Sequence, residues 1–434
     1  METNIPAIAL LLGSFAGLIL LRIPIAFCLG MSAVLTGIYL EVPLAMLAQG
    51  IVRGINSFSL MAIPFFILSG EIMSLGSIGI RLIRFSNACI GQVKGGLSLV
   101  NILASMFFGG ISGSSVADTS SIGAIMIPMM QKKGYDSDYS VSVTISGSTI
   151  GILIPPSHNM IIYSLVAGSG VSVAALFMAG FIPGVFLGLA LMFISYVIAV
   201  KRNYPVSERY SGAEKWKAFK ESFLGLFTFV IVVGGVCTGF YTATEAAAVA
   251  VLYAFVVTFF IYKDVPLSTF PVMLKRSLGT LAIVLGLIGT SSAFGWMLAY
   301  LKIPELATYA LTSISDSRVV ILLVINVLLL ILGCIMDMAP LILITTPILM
   351  PVVTQIGMNP IHFGIVLMLN LSIGLLTPPV GSTLFVGCAL GKCRIEALAK
   401  TMVPFYITMI TVLMFLTYIP DICLILPRMM GMIN

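Results

Sequence analysis

The sequence is poor in charge: only 9% of its 434 residues are Asp, Glu, Lys or Arg, where a soluble domain carries about 25%. It has two histidines, and its seven cysteines (Cys28, Cys89, Cys237, Cys334, Cys388, Cys393 and Cys423) include no C-x-x-C pair. Scattered through apolar runs, these read as small buried hydrophobes, and Cys388 with Cys393 is too thin a pair for a metal site. No Walker motif occurs, so no ATPase chemistry belongs to this chain. No basic region precedes the first apolar run; Arg22 follows it, so that run is expected to be a retained span rather than a cleaved signal. No polar stretch beyond 201–221 is long enough to fold as a soluble domain. Short alternating strands are missing too, which excludes a membrane barrel.

What remains is oil. The chain is 59% hydrophobic with mean hydropathy +1.14, and apolar runs of about 18 or more residues, enough to cross a bilayer, recur along it. The reading is an all-α polytopic protein embedded in a lipid bilayer. The net charge of +6 sits in clusters between spans, as in cytoplasmic loops, and does not indicate nucleic acid. Spans are expected at 5–21, 24–40, 58–78, 139–168, 174–200, 222–240, 243–262, 279–301, 361–390 and 401–420, with interrupted apolar regions at 96–131 and 318–354.

Lys and Arg placement orients the spans. Arg22 inside puts the N-terminus outside, and Arg81, Arg84 and Lys94 then fall inside. The region 96–131 begins after Lys94 and ends at Lys132-Lys133, so it enters and leaves by one face. The charges of 201–221, Lys263, Lys275 and Arg276 follow inside, and Lys392, Arg394 and Lys400 do so only if 318–354 is also re-entrant, from the opposite face. Two opposed re-entrant helical hairpins imply an inverted-topology repeat. Its trace is visible: Asp118 to Pro128 and Asp337 to Pro347 are each ten residues, Gly134 to Pro155 and Gly357 to Pro378 each twenty-one, and IGILIPP (150–156) matches IGLLTPP (373–379). Asn101 before Gly109-Gly110 resembles Asn326 before Gly333.

Matched Gly/Pro-broken helices in two halves point to a transporter site. Each Pro-Pro pair removes two donors and opens its span, freeing carbonyls suited to a desolvated alkali cation. Half-helix N-termini attract an anion. The hydroxyl-rich tip GISGSS (110–115) is therefore expected to face the opened helix at 155–159, and Gly333–Pro340 to face 377–381. Asp118 and Asp337 read as ligands, helix N-caps or both. Glu245, in Thr242-Ala-Thr-Glu245, reads as a capping box; Glu71 stays open between a buried partner and a span end, and His362 reads as interfacial. Two rivals from other classes exist. Gly110-Ile-Ser-Gly113 fits the G-x-S-G pattern of intramembrane serine proteases, with Ser112 as nucleophile and His158 as base, and a channel would use a continuous pore. Neither accounts for a second copy or the paired Pro-Pro breaks.

GGISGSSVADTSSIGAIMIP, IGILIPPS and GFYTATEAAAVAVLYA together resemble the large membrane subunit (DctM/SiaM type) of the tripartite ATP-independent periplasmic (TRAP) transporters, and the likeness runs essentially end to end. One departure is Ala243 where the family often has proline. The resemblance implies an elevator: scaffold helices and an inner-surface arm at 1–95, transport-domain halves at 96–170 and 318–392, further scaffold with a second arm at 171–317, and a C-terminal span at 393–434. The amphipathic stretches 81–94 and 265–278 would be the arms. It implies uptake coupled to Na+, at two or more sites, of an acidic solute such as sialic acid or a C4-dicarboxylate. A periplasmic substrate-binding protein and a small four-helix membrane subunit would be partners in the bacterial inner membrane; a binding-protein-independent anion transporter is the alternative. Carried over, one sodium site falls at Ser112, Gly113 and Ser114 with Pro155 and Pro156, the other at Gly333, Asp337, Thr377, Pro378 and Pro379. Solute would lie between, at Ser115, Asp118, Ser157, His158, Asn159, Gly381 and Thr383.

Overall fold

The computed structural model describes residues 4–168, 170–206 and 210–433; Glu208 and Arg209 of the polar loop, and residues 1–3, 169, 207 and 434, lie outside them. Among the described residues the regular structure is helical, apart from an isolated bridge between Lys94 and Val206. The first elements are α1 (Ile5–Leu20), α2 (Ile25–Tyr39), α3 (Leu44–Ile55), α4 (Ala62–Leu75) and α5 (Ile78–Ile90). A helical pair follows, α6 (Gly96–Ser112) and α7 (115–132, with a π turn at Thr119–Gly123), then α8 (Ser137–Leu153) and α9 (His158–Ala167). Next come α10 (Val173–Lys201), α11 (Gly212–Cys237), α12 (Ala243–Tyr262), α13 (Phe270–Tyr300) and α14 (Ile303–Ile314). A second pair, α15 (Arg318–Ile335) and α16 (Met338–Gln355), leads to α17 (Pro360–Gly374) and α18 (Ser382–Gly391), and the chain closes with α19 (Ile395–Tyr418) and α20 (Asp421–Met429). Among the described residues, eight helices are long and apolar enough to cross a bilayer, or nine counting the bent pair α8–α9 as one span. This is a multi-span membrane protein.

Helix starts follow local chemistry. The Thr242 hydroxyl and Glu245 carboxylate cap α12 reciprocally, and Ser211 with Glu214 does the same for α11. Asn359 caps α17, with Pro360 in the first turn, where the missing N–H costs nothing. Two elements differ from expectation. The stretch 265–278 is not a separate arm: with Pro271 confined to the first turn, nothing breaks the chain until Tyr300, and α13 runs 31 residues. His362 is fully buried, its Nε2 2.6 Å from the Leu416 carbonyl oxygen, rather than interfacial.

The centre is formed by the two broken helices. Residues 139–157 and 361–376 are all buried. The hydroxyl-rich run of α8 survives there because its side chains bond back to their own helix: Ser140, Ser142 and Thr144 each donate to the carbonyl four residues earlier at 2.8 Å. The spacings shared by the two halves have shared geometry. Gly134 and Gly357, which turn the chain out of each helical pair, have φ of +85° and +74°, a region open to glycine without steric penalty. Gly109 meets Gly151 and Gly333 meets Gly374, so close that a Cβ on Gly109 would lie 2.3 Å from the Gly151 Cα and one on Gly374 2.6 Å from Gly333. Asn101 donates to Thr144 at 2.7 Å, and Asn370 to Asn326 at 2.9 Å, tying the first helix of each pair to its broken helix. The halves also interlock: Tyr163 in α9 donates to the Pro360 carbonyl at 2.5 Å, and Ser137 at the start of α8 to the Gly391 carbonyl at 2.6 Å.

Candidate functional site

Four chain breaks converge near the centre. The first helical pair turns at Gly113, whose φ is +60°, and the second between Ile335 and Met338. The α8–α9 break bends the axis by 46°, and α17 gives way to α18 across residues 375–381. The first tip presses on the first break. A Cβ on Gly113 would stand 2.5 Å from the Pro156 carbonyl oxygen, and one on Gly110 3.4 Å from that of Pro155. The second tip is joined to the second break by the Val380 N–H, which donates to the Cys334 carbonyl at 3.1 Å, and by the Ser382 hydroxyl, which donates to Asp337 Oδ1 at 3.3 Å. Both Pro-Pro peptide bonds are cis.

Between the tips lies a cavity of about 420 Å³. Ser112, Ser114, Ser115, His158, Asn159 and Asp337 line it, joining candidates more than two hundred residues apart. Three helix N-termini open onto it. Ser114 caps α7, its hydroxyl accepting from the Ala117 N–H at 3.4 Å; α9 begins at His158; α16 begins after Asp337. Asp337 holds the N-cap position, but its side chain makes no capping bond and is exposed. Apart from the Ser382 hydroxyl on Oδ1, its carboxylate is open toward the cavity. Helix N-termini carry partial positive charge and free N–H groups, so the cavity can hold an anion, while its hydroxyls and opened carbonyls are hard oxygen ligands for an alkali cation.

The remaining candidates fall behind this surface. Thr383 is fully buried, and its hydroxyl lies 3.1 Å from that of Ser115, which also contacts the Ser148 hydroxyl at 2.7 Å. The start of α18 thus meets the first tip directly. Ser157 sits buried at the start of α9 with an unpartnered hydroxyl. Asp118 does not reach the cavity. It is the fourth residue of α7, fully buried beside Ser105, and neither carboxylate oxygen makes a hydrogen bond of acceptable geometry. Gly113, Pro155 and Pro156 form one cluster with Ser112 and Ser114; Gly333 packs on Gly374 one turn before Thr377, and Pro379 is exposed.

The sequence reading missed the opposite wall. Thr280, Ile283, Val284 and Leu287 of α13 face the cavity at helical spacing, and α4 supplies Gly70, Glu71 and Ser74. Glu71 is paired, with Arg276 Nη1 3.4 Å from its Oε1. The Ser74 hydroxyl touches that of Ser121 in α7. The only early signal was Glu71 itself, a carboxylate in an apolar run; its cation lies 205 residues away. Ser112 and His158 share the cavity, but the hydrogen bond of Ser112 is to the Ser114 N–H at 3.5 Å, not to His158.

Residues 12–422 match the family described as the DctM component of the tripartite ATP-independent periplasmic transporter. The sialic acid TRAP transporter large permease protein SiaM of Vibrio cholerae is 40% identical over 383 residues, 88% of this chain and 89% of that protein. The C4-dicarboxylate TRAP transporter large permease protein DctM of Pseudomonas aeruginosa is also 40% identical, over 376 residues, 86% of this chain and 87% of its own. Among solved structures, the YdaH transporter of Alcanivorax borkumensis shares the fold with a TM-score of 0.61 at 14% identity, covering 86% of this chain and 88% of that one.

Proposed function

Since this chain belongs to the DctM component family of the tripartite ATP-independent periplasmic transporters, a family of transport permeases and not of enzymes, we propose that it carries a small organic acid inward, coupled to sodium. The observation that carries the reading is the cavity where three helix N-termini from both halves of the chain meet two opened helices. Its charge supports ion coupling. Among the described residues lining it, Glu71 and Asp337 are acidic and none is Lys or Arg, so an acidic solute needs co-bound cations. Sodium serves as co-substrate, at Ser112, Gly113 and Ser114 with the Pro155 and Pro156 carbonyls, and at Gly333, Asp337 and the Thr377-Pro378-Pro379 break.

In this reading the two helical pairs are re-entrant hairpins of an inverted repeat. They move with the broken helices as the mobile part of an elevator against α1–α5 and α10–α13, with the N-terminus periplasmic in the bacterial inner membrane. A periplasmic binding protein delivers the solute, and a small membrane subunit completes the scaffold. Relatives named for sialic acid and for C4-dicarboxylates are equally identical at 40%, so both solutes belong in the test. The test is uptake of labelled sialic acid and succinate into proteoliposomes holding this chain and its small partner, with and without binding protein and an inward sodium gradient. Accumulation of either solute only when both are present supports the reading; accumulation without sodium contradicts the coupling, and without binding protein the hand-over.

A further inference from the structure

We propose that Arg276 is an anion-binding residue at the mouth of the cavity, and that Glu71 occupies it as a built-in competitor which the departing solute displaces; this rests on the organic-acid reading above. Thr280 and Glu71 both line the cavity. Arg276 stands one turn before Thr280 on α13, whose Thr280 hydroxyl donates to the Arg276 carbonyl at 3.3 Å. Its guanidinium reaches Glu71, which lines the cavity, while Arg276 itself does not, so the guanidinium sits at the rim.

The pairing with Glu71 is loose. The N–O distance is 3.4 Å, with a single contact rather than a bidentate fork, and the side chains are 61% and 27% exposed. A pair of that kind is weak and screened by water, so a carboxylate arriving from the cavity can replace Glu71 on the guanidinium, a planar fork suited to bidentate carboxylate binding. Among the described residues, the cavity lining offers an acid no other fixed cation, whereas Glu71 beside it repels one. The exchange gives the solute a partner at the point where it leaves the helix N-termini, and Glu71 then regains the guanidinium and discharges the solute.

Competition and a plain structural tie differ in sign. A tie between α4 and α13 is broken equally by removing either charge. Competition makes the two removals opposite. The experiment is efflux of labelled succinate or sialic acid from loaded proteoliposomes of the complete transporter with binding protein outside, read as the internal concentration for half-maximal rate. Arg276→Gln is expected to raise it about tenfold, Glu71→Gln to lower it about threefold, and Arg276→Lys, which keeps the charge without the fork, to fall between wild type and Arg276→Gln. Shifts in the same direction, or no shift in Arg276→Gln, overturn the inference while leaving the transport reading intact. A wild-type protein that moves neither acid overturns both.

Discussion

At the scale of single residues, the packing of the two halves depends on places where a side chain is absent. The Gly109–Gly151 and Gly333–Gly374 approaches put backbone against backbone, which cannot yield as a flexible side-chain tip can. Gly109→Ala and Gly374→Ala are each expected to destabilise the protein by about 1–3 kcal/mol, the usual cost of overpacking, seen as earlier thermal unfolding in detergent. Gly279→Ala, with nothing within 4 Å of the added methyl, is the control and should unfold no earlier than wild type. Asp337 is exposed, uncapped and beside Ser382, so Asp337→Asn is expected to raise the sodium concentration needed for half-maximal uptake without lowering the unfolding temperature. An unchanged sodium dependence would remove it from the ion site.

Elements show why one part of the site was legible and another was not. The tips and breaks announce themselves, because glycines, hydroxyls and paired prolines in an apolar run have few other uses in a membrane. The wall from α4 and α13 does not. Thr280, Ile283 and Leu287 have the periodicity of any buried helix face, and their role depends on packing between segments over 200 residues apart. Asp118 misled for the opposite reason: an intramembrane carboxylate at a repeated spacing looked like a wall of the site, but its position in the first turn of α7 directs it into the protein. The second arm reads as separate in the sequence because 265–278 is amphipathic and the run after it apolar, yet no proline stands between them and the helix runs on from Phe270 to Tyr300.

One loop between elements has a pH signature. Between α7 and α8, Asp136 accepts from the Tyr204 hydroxyl at 2.6 Å and pairs with Arg202 at 2.8 Å. The Tyr204 bond, opposed by burial and aided by Arg202, holds its carboxyl below the ordinary value of 3.8. With the folded pKa below the unfolded one, this contribution is complete above that ordinary value and fades as pH falls through the depressed pKa. Asp136 is more than half exposed, so Asp136→Asn is expected to cost no more than about 1 kcal/mol at neutral pH. The difference from wild type in thermal unfolding should close in acid.

For the whole molecule, the interlocked halves make α6–α9 and α15–α18 one body, with each broken helix finishing against the other half. The surrounding α4 touches that body at Gly70 against Ser112 and at Ser74 against Ser121. The proposed elevator requires these surfaces to separate during each cycle. The most direct measurement is therefore sodium-driven uptake by a Ser74→Cys/Ser121→Cys double variant, in a background with the native cysteines replaced, before and after oxidation. The hydroxyls of these two serines are already in contact, so oxidation is expected to lock the body to the scaffold, abolish uptake, and release it again on reduction. A fully cross-linked protein that still transports at the reduced rate would contradict movement of the hairpins against the scaffold, and with it the elevator.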